Sequence, residues 1–166
     1  MIQCMDKVDK IIEQWHRERP DLDVTSMSLI GRFKQITQRL SLEMAKTFTE
    51  YGLNPANFDV LATLRRAGPP YALSPNDLIA STMVTSGTMT NRIDQLVKAG
   101  LVVRVQNPSD RRSVAVSLTE KGFAIIDSAL NAHVETQNRL TSGLSEEESQ
   151  KLNALLRKFL MSLEGQ

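Results

Sequence analysis

The chain has 166 residues, of which 41% are hydrophobic and 23% are charged, and its net charge is +1. This is the composition of one globular domain that is long enough to bury a core. No apolar run approaches the roughly 18 residues that a membrane span needs, and the N-terminus lacks the apolar stretch of a secretory signal. Cys4 is the only cysteine, which excludes an internal disulfide and suits a reducing compartment. We therefore expect a cytoplasmic protein with no membrane partner.

The first half of the chain predicts four helices, each with its own start or stop signal. Apolar residues at helical spacing place the first over 6–19 and the second over about 25–51, where Gly52 ends it. The next two begin with an Asn or Ser cap followed by proline, a residue that is favoured at the first helical position. These two starts are Asn54-Pro55 and Ser74-Pro75.

A fifth helix and a β-hairpin follow. Met89, Ile93 and Leu96 form one apolar stripe of that helix, and Gly100 ends it. The runs LVVRVQ and SVAVSLT then alternate apolar with polar or small residues on either side of an Asn-Pro-Ser-Asp cluster. Period-two alternation around such a cluster predicts two antiparallel strands joined by a turn.

Two long helices complete the chain. Thr119 is the expected cap of a helix that runs to about 140, and Ser145 with Glu148 forms a capping box for the last helix. One face of that last helix is too apolar to remain in water, so we expect it to pack against a partner. The face consists of Leu152, Leu155, Leu156, Phe159, Leu160 and Leu163.

A short helix, a tight turn at about 82–85, a second helix and a hairpin are the order of a winged helix-turn-helix. The expected fold class is therefore mainly α with a small β-hairpin (α+β). The second helix of this motif is the fifth helix of the chain. Opposite its apolar stripe it carries short side chains that form hydrogen bonds. Such a face fits a DNA major groove, although a polar helix face can also be merely solvated. The candidate DNA-contacting residues on it are Ser86, Thr88, Thr90 and Asn91.

Positive charge is concentrated in the same segment. Residues 84–122 carry six basic and three acidic side chains, a net charge of +3 against +1 for the whole chain. Arg111 and Arg112 at the hairpin tip, and Arg92 on the helix, are candidate contacts to phosphates or to a narrow minor groove. Asp110 would orient a neighbouring arginine through a charge-assisted hydrogen bond. The alternative is a solvated turn with incidental charges.

The hairpin resembles the wing of the MarR family of bacterial transcription regulators, which is written Asp-x-Arg and, several residues later, Leu-Thr-x-x-Gly. The resemblance implies that Arg112 enters the minor groove and that Asp110 holds it there. It also implies a homodimer that binds a pseudo-palindromic operator in double-stranded DNA. Five residues match the pattern in place: Asp110, Arg112, Leu118, Thr119 and Gly122.

The same resemblance implies one MarR-type domain over residues 1–166. Helices in about 1–54 and 123–166 would form the dimerisation region, with N- and C-terminal helices of both subunits interleaved. The winged helix-turn-helix would occupy about 55–122.

Three further matches resemble the urate-responsive branch of that family, which includes the pectinase regulator type. That branch has an N-terminal helix with a tryptophan, an aspartate in the helix before the helix-turn-helix and an arginine in the recognition helix. Trp15, Asp59 and Arg92 stand at the matching positions. Urate is a flat anion, for which tryptophan offers a packing surface and arginine a planar cationic fork. If Asp59 pairs with Arg92 in the DNA-competent state, a competing anion would shift the recognition helix. Another purine or an aromatic acid is the alternative effector.

Other functions have less support from the sequence. There is no Gly-rich phosphate loop, and neither His16 nor His133 has a second metal ligand at a convincing spacing. We therefore expect no enzyme, no metal and no cofactor. The lead hypothesis is a DNA-binding repressor that releases its DNA when it binds urate or a similar anion. An oxidant sensor acting through Cys4, and a helical interaction protein that binds no DNA, are the alternatives.

Overall fold

A computed structural model describes residues 5–82, 86–106 and 114–165. It is mainly helical with a small antiparallel sheet, which confirms the predicted fold class. The helices are α1 (Lys7–Glu18), α2 (Thr25–Glu50), α3 (Pro55–Arg66), α4 (Pro75–Ser81), α5 (Ser86–Lys98), α6 (Glu120–Thr141) and α7 (Glu146–Glu164). The strands are β1 (Ala72–Leu73), β2 (Val102–Gln106) and β3 (Val114–Leu118).

Local capping explains where several helices begin. Asn54 and Ser74 each accept a hydrogen bond from the backbone three residues on, and proline follows each of them. Ser145 and Glu148 form the predicted capping box at the start of α7. In the described part of the chain, no helix combines the length and apolar character required to span a bilayer.

The chain divides into two compact units, Met1–Glu43 and Met44–Gln166. In the first unit, α1 lies against the N-terminal half of α2. Val8 is buried and sits so close to Gly31 that a Cβ at position 31 would lie 3.2 Å from it. Arg32 binds Asp6 through Nε at 2.8 Å and also pairs with Asp9, so an ionic clamp holds the start of α1 on α2.

The second unit contains the main hydrophobic core, built from α3, α4, α5, the strands and α6. Phe48, at the end of α2, stacks on Phe58 of α3 with 4.0 Å between ring centroids. The rest of the core is aliphatic. Its most deeply buried members are Val60, Leu61, Leu64, Leu78, Leu96, Ile126 and Ala129.

The sheet has three strands in the order β1-β3-β2, with both pairs antiparallel. β2 and β3 form the predicted hairpin, in which Val102 lies opposite Leu118 and Gln106 opposite Val114. The sequence did not predict β1. This two-residue strand exists because Ala72 and Leu73 pair with Ser117 and Val116 of β3, a long-range contact that leaves no local periodicity.

Candidate DNA-binding site and ligand-binding residues

Helix α5 has an apolar face and a polar face, as the sequence predicts. Met89, Ile93 and Leu96 are each no more than 2% exposed. The exposed side carries Thr88, Thr90 and Asn91. Ser86 begins the helix. The helix therefore presents a row of short hydrogen-bonding side chains to solvent while its other side anchors it in the core.

Helix α4 packs against α5. Ser74 caps it by accepting from the backbone N–H of Asp77 at 3.1 Å, and Leu78 is completely buried. At its C-terminal end Thr82 donates to the carbonyl of Leu78 at 2.7 Å, and Arg66 donates to the carbonyl of Ser81 at 2.9 Å. These bonds satisfy carbonyls that the end of the helix leaves without intrahelical partners.

The wing follows α5 after a turn at Gly100, whose φ of +71° lies in the left-handed region that favours glycine. The hairpin is paired up to Gln106 and Val114. The three tip residues predicted to contact DNA, Asp110, Arg111 and Arg112, lie outside the described residues.

The residues that follow the wing in the MarR motif attach α6 to the end of α5. The Thr119 hydroxyl donates to the Gly100 carbonyl at 2.8 Å and accepts from the Gly122 backbone at 3.0 Å. Lys121 donates to the carbonyl of Ala99 at 3.1 Å. A Cβ at position 122 would lie 1.9 Å from the carbonyl oxygen of Leu101, so only glycine fits. Thr119 and Gly122 thus hold the wing, α5 and α6 together.

The basic residues of α5 and β2 are not all available to bind an anion. Arg104 on β2 pairs with Asp94 on α5, with 2.5 Å between Nη2 and Oδ1. Lys98, in the last turn of α5, is exposed. Arg92 is half-buried on the same helix.

Two of the predicted ligand-binding residues lie in the second unit. Asp59 on α3 and Arg92 on α5 are both half-buried. Over the residues with described positions, no ion pair joins them, so the pairing considered from the sequence is not present in this structure. That leaves both side chains without a charged partner in the described chain.

Trp15, the third predicted ligand-binding residue, lies in the first unit. Its side chain is 40% exposed on α1. It lines a groove of about 350 Å³ between α1 and α2, together with Ile11, Met27, Lys34 and Gln38. A tryptophan with exposed ring surface beside a lysine can pack against a flat anion.

A second polar junction, in the second unit, was not predicted from the sequence. Arg65 on α3 donates to Asp127 on α6 at 2.7 Å. Its guanidinium also lies 4.5 Å from the Phe123 ring centroid and 5.3 Å from that of Tyr71. The partners are distant in sequence, so no local pattern could have revealed the cluster. Within 5–82, 86–106 and 114–165, no three His, Cys, Asp or Glu side chains group as metal ligands would.

The helix pair α4–α5, the supporting α3 and the β2–β3 wing define a winged helix-turn-helix protein. Residues 51–113 match the sequence profile of the MarR family. The transcriptional regulator PecS of Dickeya dadantii strain 3937 is 43% identical over 150 residues, which cover 90% of each chain. The chain therefore belongs to the MarR family of transcriptional regulators, which confirms the resemblance and the prediction that it is not an enzyme.

Two solved structures extend the comparison. A cysteine-to-serine variant of Escherichia coli MarR in complex with operator DNA matches with a TM-score of 0.71 and 29% identity. That match covers 82% of this chain and 97% of the other. BpsR of Bordetella bronchiseptica, whose DNA binding is regulated by 6-hydroxynicotinic acid, matches with a TM-score of 0.67 and 28% identity. It covers 78% of this chain and 90% of that one.

Proposed function

We propose that this protein is a homodimeric repressor that binds a pseudo-palindromic operator and releases it when a small flat anion binds. The observation that carries the proposal is the polar face of α5, exposed beside the wing in a protein of this family. Thr88, Thr90 and Asn91 would contact base edges in the major groove, with Ser86 at the start of the helix. The proposal implies that the protein acts in the cytoplasm, at the chromosome.

The wing supplies the second part of the proposed DNA interface. Arg111 and Arg112 would contact phosphates or the minor groove, with Asp110 orienting Arg112. Arg92 would contact a phosphate from α5. The operator-bound MarR structure supports this arrangement by analogy of fold.

Helix α7 supports the dimer. None of its residues is buried against the rest of the described chain. Leu155 and Leu160 are 65% and 57% exposed. A 19-residue helix with an uncovered leucine face gains little from its own subunit. A two-fold partner that packs against this face would also set the two recognition helices about one DNA turn apart, roughly 10 base pairs.

We propose urate or a related flat anion as the effector, recognised by Trp15, Asp59 and Arg92. Arg92, which has no charged partner among the described residues, offers a cationic fork, and the exposed Trp15 offers an aromatic surface. BpsR, regulated by a flat heteroaromatic acid, supports this class of effector. Release requires that the anion bind the DNA-free state more tightly than the DNA-bound state.

The test is fluorescence anisotropy of the DNA upstream of the protein's own gene, with random duplex as the reference. We expect specific binding that urate, another purine or 6-hydroxynicotinic acid reverses. Arg112→Ala should weaken binding and lower the salt slope by about one, whereas Arg17→Ala on α1 should change neither. If Arg112→Ala leaves both unchanged, the proposed wing contact is wrong.

A second test separates the effector from the DNA. Trp15→Phe and Asp59→Asn should leave operator affinity unchanged and raise the concentration of effector needed for release. The thermal shift that urate gives the DNA-free protein should decrease in parallel. If no flat anion releases the operator, the proposed effector is wrong, and the proposed operator binding is unaffected.

A further inference from the structure

An acidic side chain lies on the face of α5 that is proposed to meet DNA. Asp94 follows Thr90 by four residues and Asn91 by three, so it shares their side of the helix. Its side chain is 58% exposed. A bare carboxylate at this position would face the phosphates of a bound duplex and repel them.

Arg104 neutralises that carboxylate from the wing. It lies on β2, opposite Val116 in the hairpin and two residues before the last paired residue, Gln106. The Arg104–Asp94 ion pair therefore joins the recognition helix directly to a strand of the wing.

The pair contributes little to the free energy of unfolding. Both side chains are largely exposed, 44% for Arg104 and 58% for Asp94. Exposed ion pairs gain little because water already solvates both charges and the side chains lose conformational freedom. The value of this contact must therefore lie in what it does to the surface around it.

We propose that Arg104 is a positioning residue that fixes the wing relative to the recognition helix and cancels the charge of Asp94. The pair thereby determines how well the protein discriminates its operator from random DNA. This inference rests on the proposed DNA-binding function. Without Asp94, Arg104 is released as a mobile cation that binds any phosphate. Without Arg104, the Asp94 carboxylate repels every duplex.

A double-mutant cycle tests the inference on the full-length dimer. Arg104→Ala should weaken operator binding roughly tenfold, and Asp94→Asn in the same chain should restore most of it. Asp94→Asn alone should strengthen binding to random duplex and steepen its salt dependence by up to about one. Its ratio of operator to random affinity should fall.

Controls separate positioning from folding and from net charge. Urea midpoints of all variants should stay close to wild type, because the pair is exposed. A matched cycle of Asp94→Asn with Lys98→Ala removes a positive charge from the same helix and should be additive. If Arg104→Ala and the double variant weaken binding equally, an uncompensated Asp94 is not what weakens the Arg104→Ala variant, and the proposed cancellation of its charge is overturned. If the wild type binds neither duplex, the proposed function itself falls.

Discussion

Gly122 occupies a place where a single methyl group has no room. A Cβ there would meet the Leu101 carbonyl oxygen at 1.9 Å and its carbonyl carbon at 2.9 Å, and neither is a flexible side-chain end. Gly122→Ala should therefore destabilise the protein by about 2–3 kcal/mol, because overpacking outweighs the better helix propensity of alanine. Urea unfolding measures the change.

Gly143 gives the matched control, since nothing lies within 4 Å of a Cβ built there. Gly143→Ala should be neutral or slightly stabilising. Equal midpoints for the two variants would show that the start of α6 yields to the added methyl group.

We expect His133 to make the stability of the folded protein depend on pH. It lies with its ring centroid 5.2 Å from that of Phe48 and 5.0 Å from that of Phe58, and its Nδ1 is buried without a hydrogen-bond partner in the described chain. Burial lowers the pKa of this imidazole below its ordinary value of 6.5. Below that value the unfolded chain binds a proton that the folded protein does not, so stability decreases as pH falls.

The measurement is the thermal midpoint between about pH 7 and pH 5. Asp6, Asp21, Asp23 and Glu148 have lowered pKa values, so their contributions are lost only under more acidic conditions. His133→Gln should flatten the decrease across this window. His16→Gln, at an exposed position, should leave it as in wild type. A His133→Gln profile that is as steep as wild type would assign the decrease to other groups.

At the scale of elements, the sequence predicted those features that depend on local chemistry. The caps at Asn54, Ser74 and Ser145 and the stripe on α5 depend on residues within one or two helical turns, so they could be predicted. β1 could not, because its pairing with β3 joins segments that are distant in the chain.

The candidate site divides in the same way. The polar face of α5 follows from its periodicity, whereas the Arg104–Asp94 pair depends on how a strand lies against a helix. Thr119 was predicted as the cap of α6, which the structure confirms, and both Thr119 and Gly122 were matched as letters of the wing motif. Their physical reason, attachment of α6 to the end of α5, required the fold.

The α3–α6 junction gives a prediction at this scale. Arg65 combines an ion pair with Asp127 and contacts to two aromatic rings. Arg65→Lys keeps the charge but loses the flat guanidinium, so the urea midpoint should decrease. Arg66→Lys next to it should have little effect, because a lysine can still donate to the Ser81 carbonyl. Equal midpoints would mean that charge alone holds the junction.

At the scale of the whole molecule, the uncovered face of α7 is the feature that one subunit does not explain. Leu156→Glu with Leu160→Glu should convert the proposed dimer to a monomer, since each places a charge in an apolar interface. Sedimentation velocity measures the change. Operator affinity should fall with it, because two linked half-sites bind more tightly than one.

Gln150→Glu, on the exposed first half of α7, is the control and should sediment as wild type. A double variant that remains dimeric would place the interface elsewhere.

The attachment of α6 to the end of α5 also limits how hybrid regulators can be built. The Leu101 carbonyl accepts from the Thr119 backbone at 3.1 Å and leaves room only for glycine at position 122. A recognition helix and wing moved from another regulator must therefore bring their own residues through this junction. A splice placed between 100 and 122 would separate residues that contact one another at this junction. We expect that a splice placed after Gly122, in the regular part of α6, would move the proposed recognition helix and wing together with the junction.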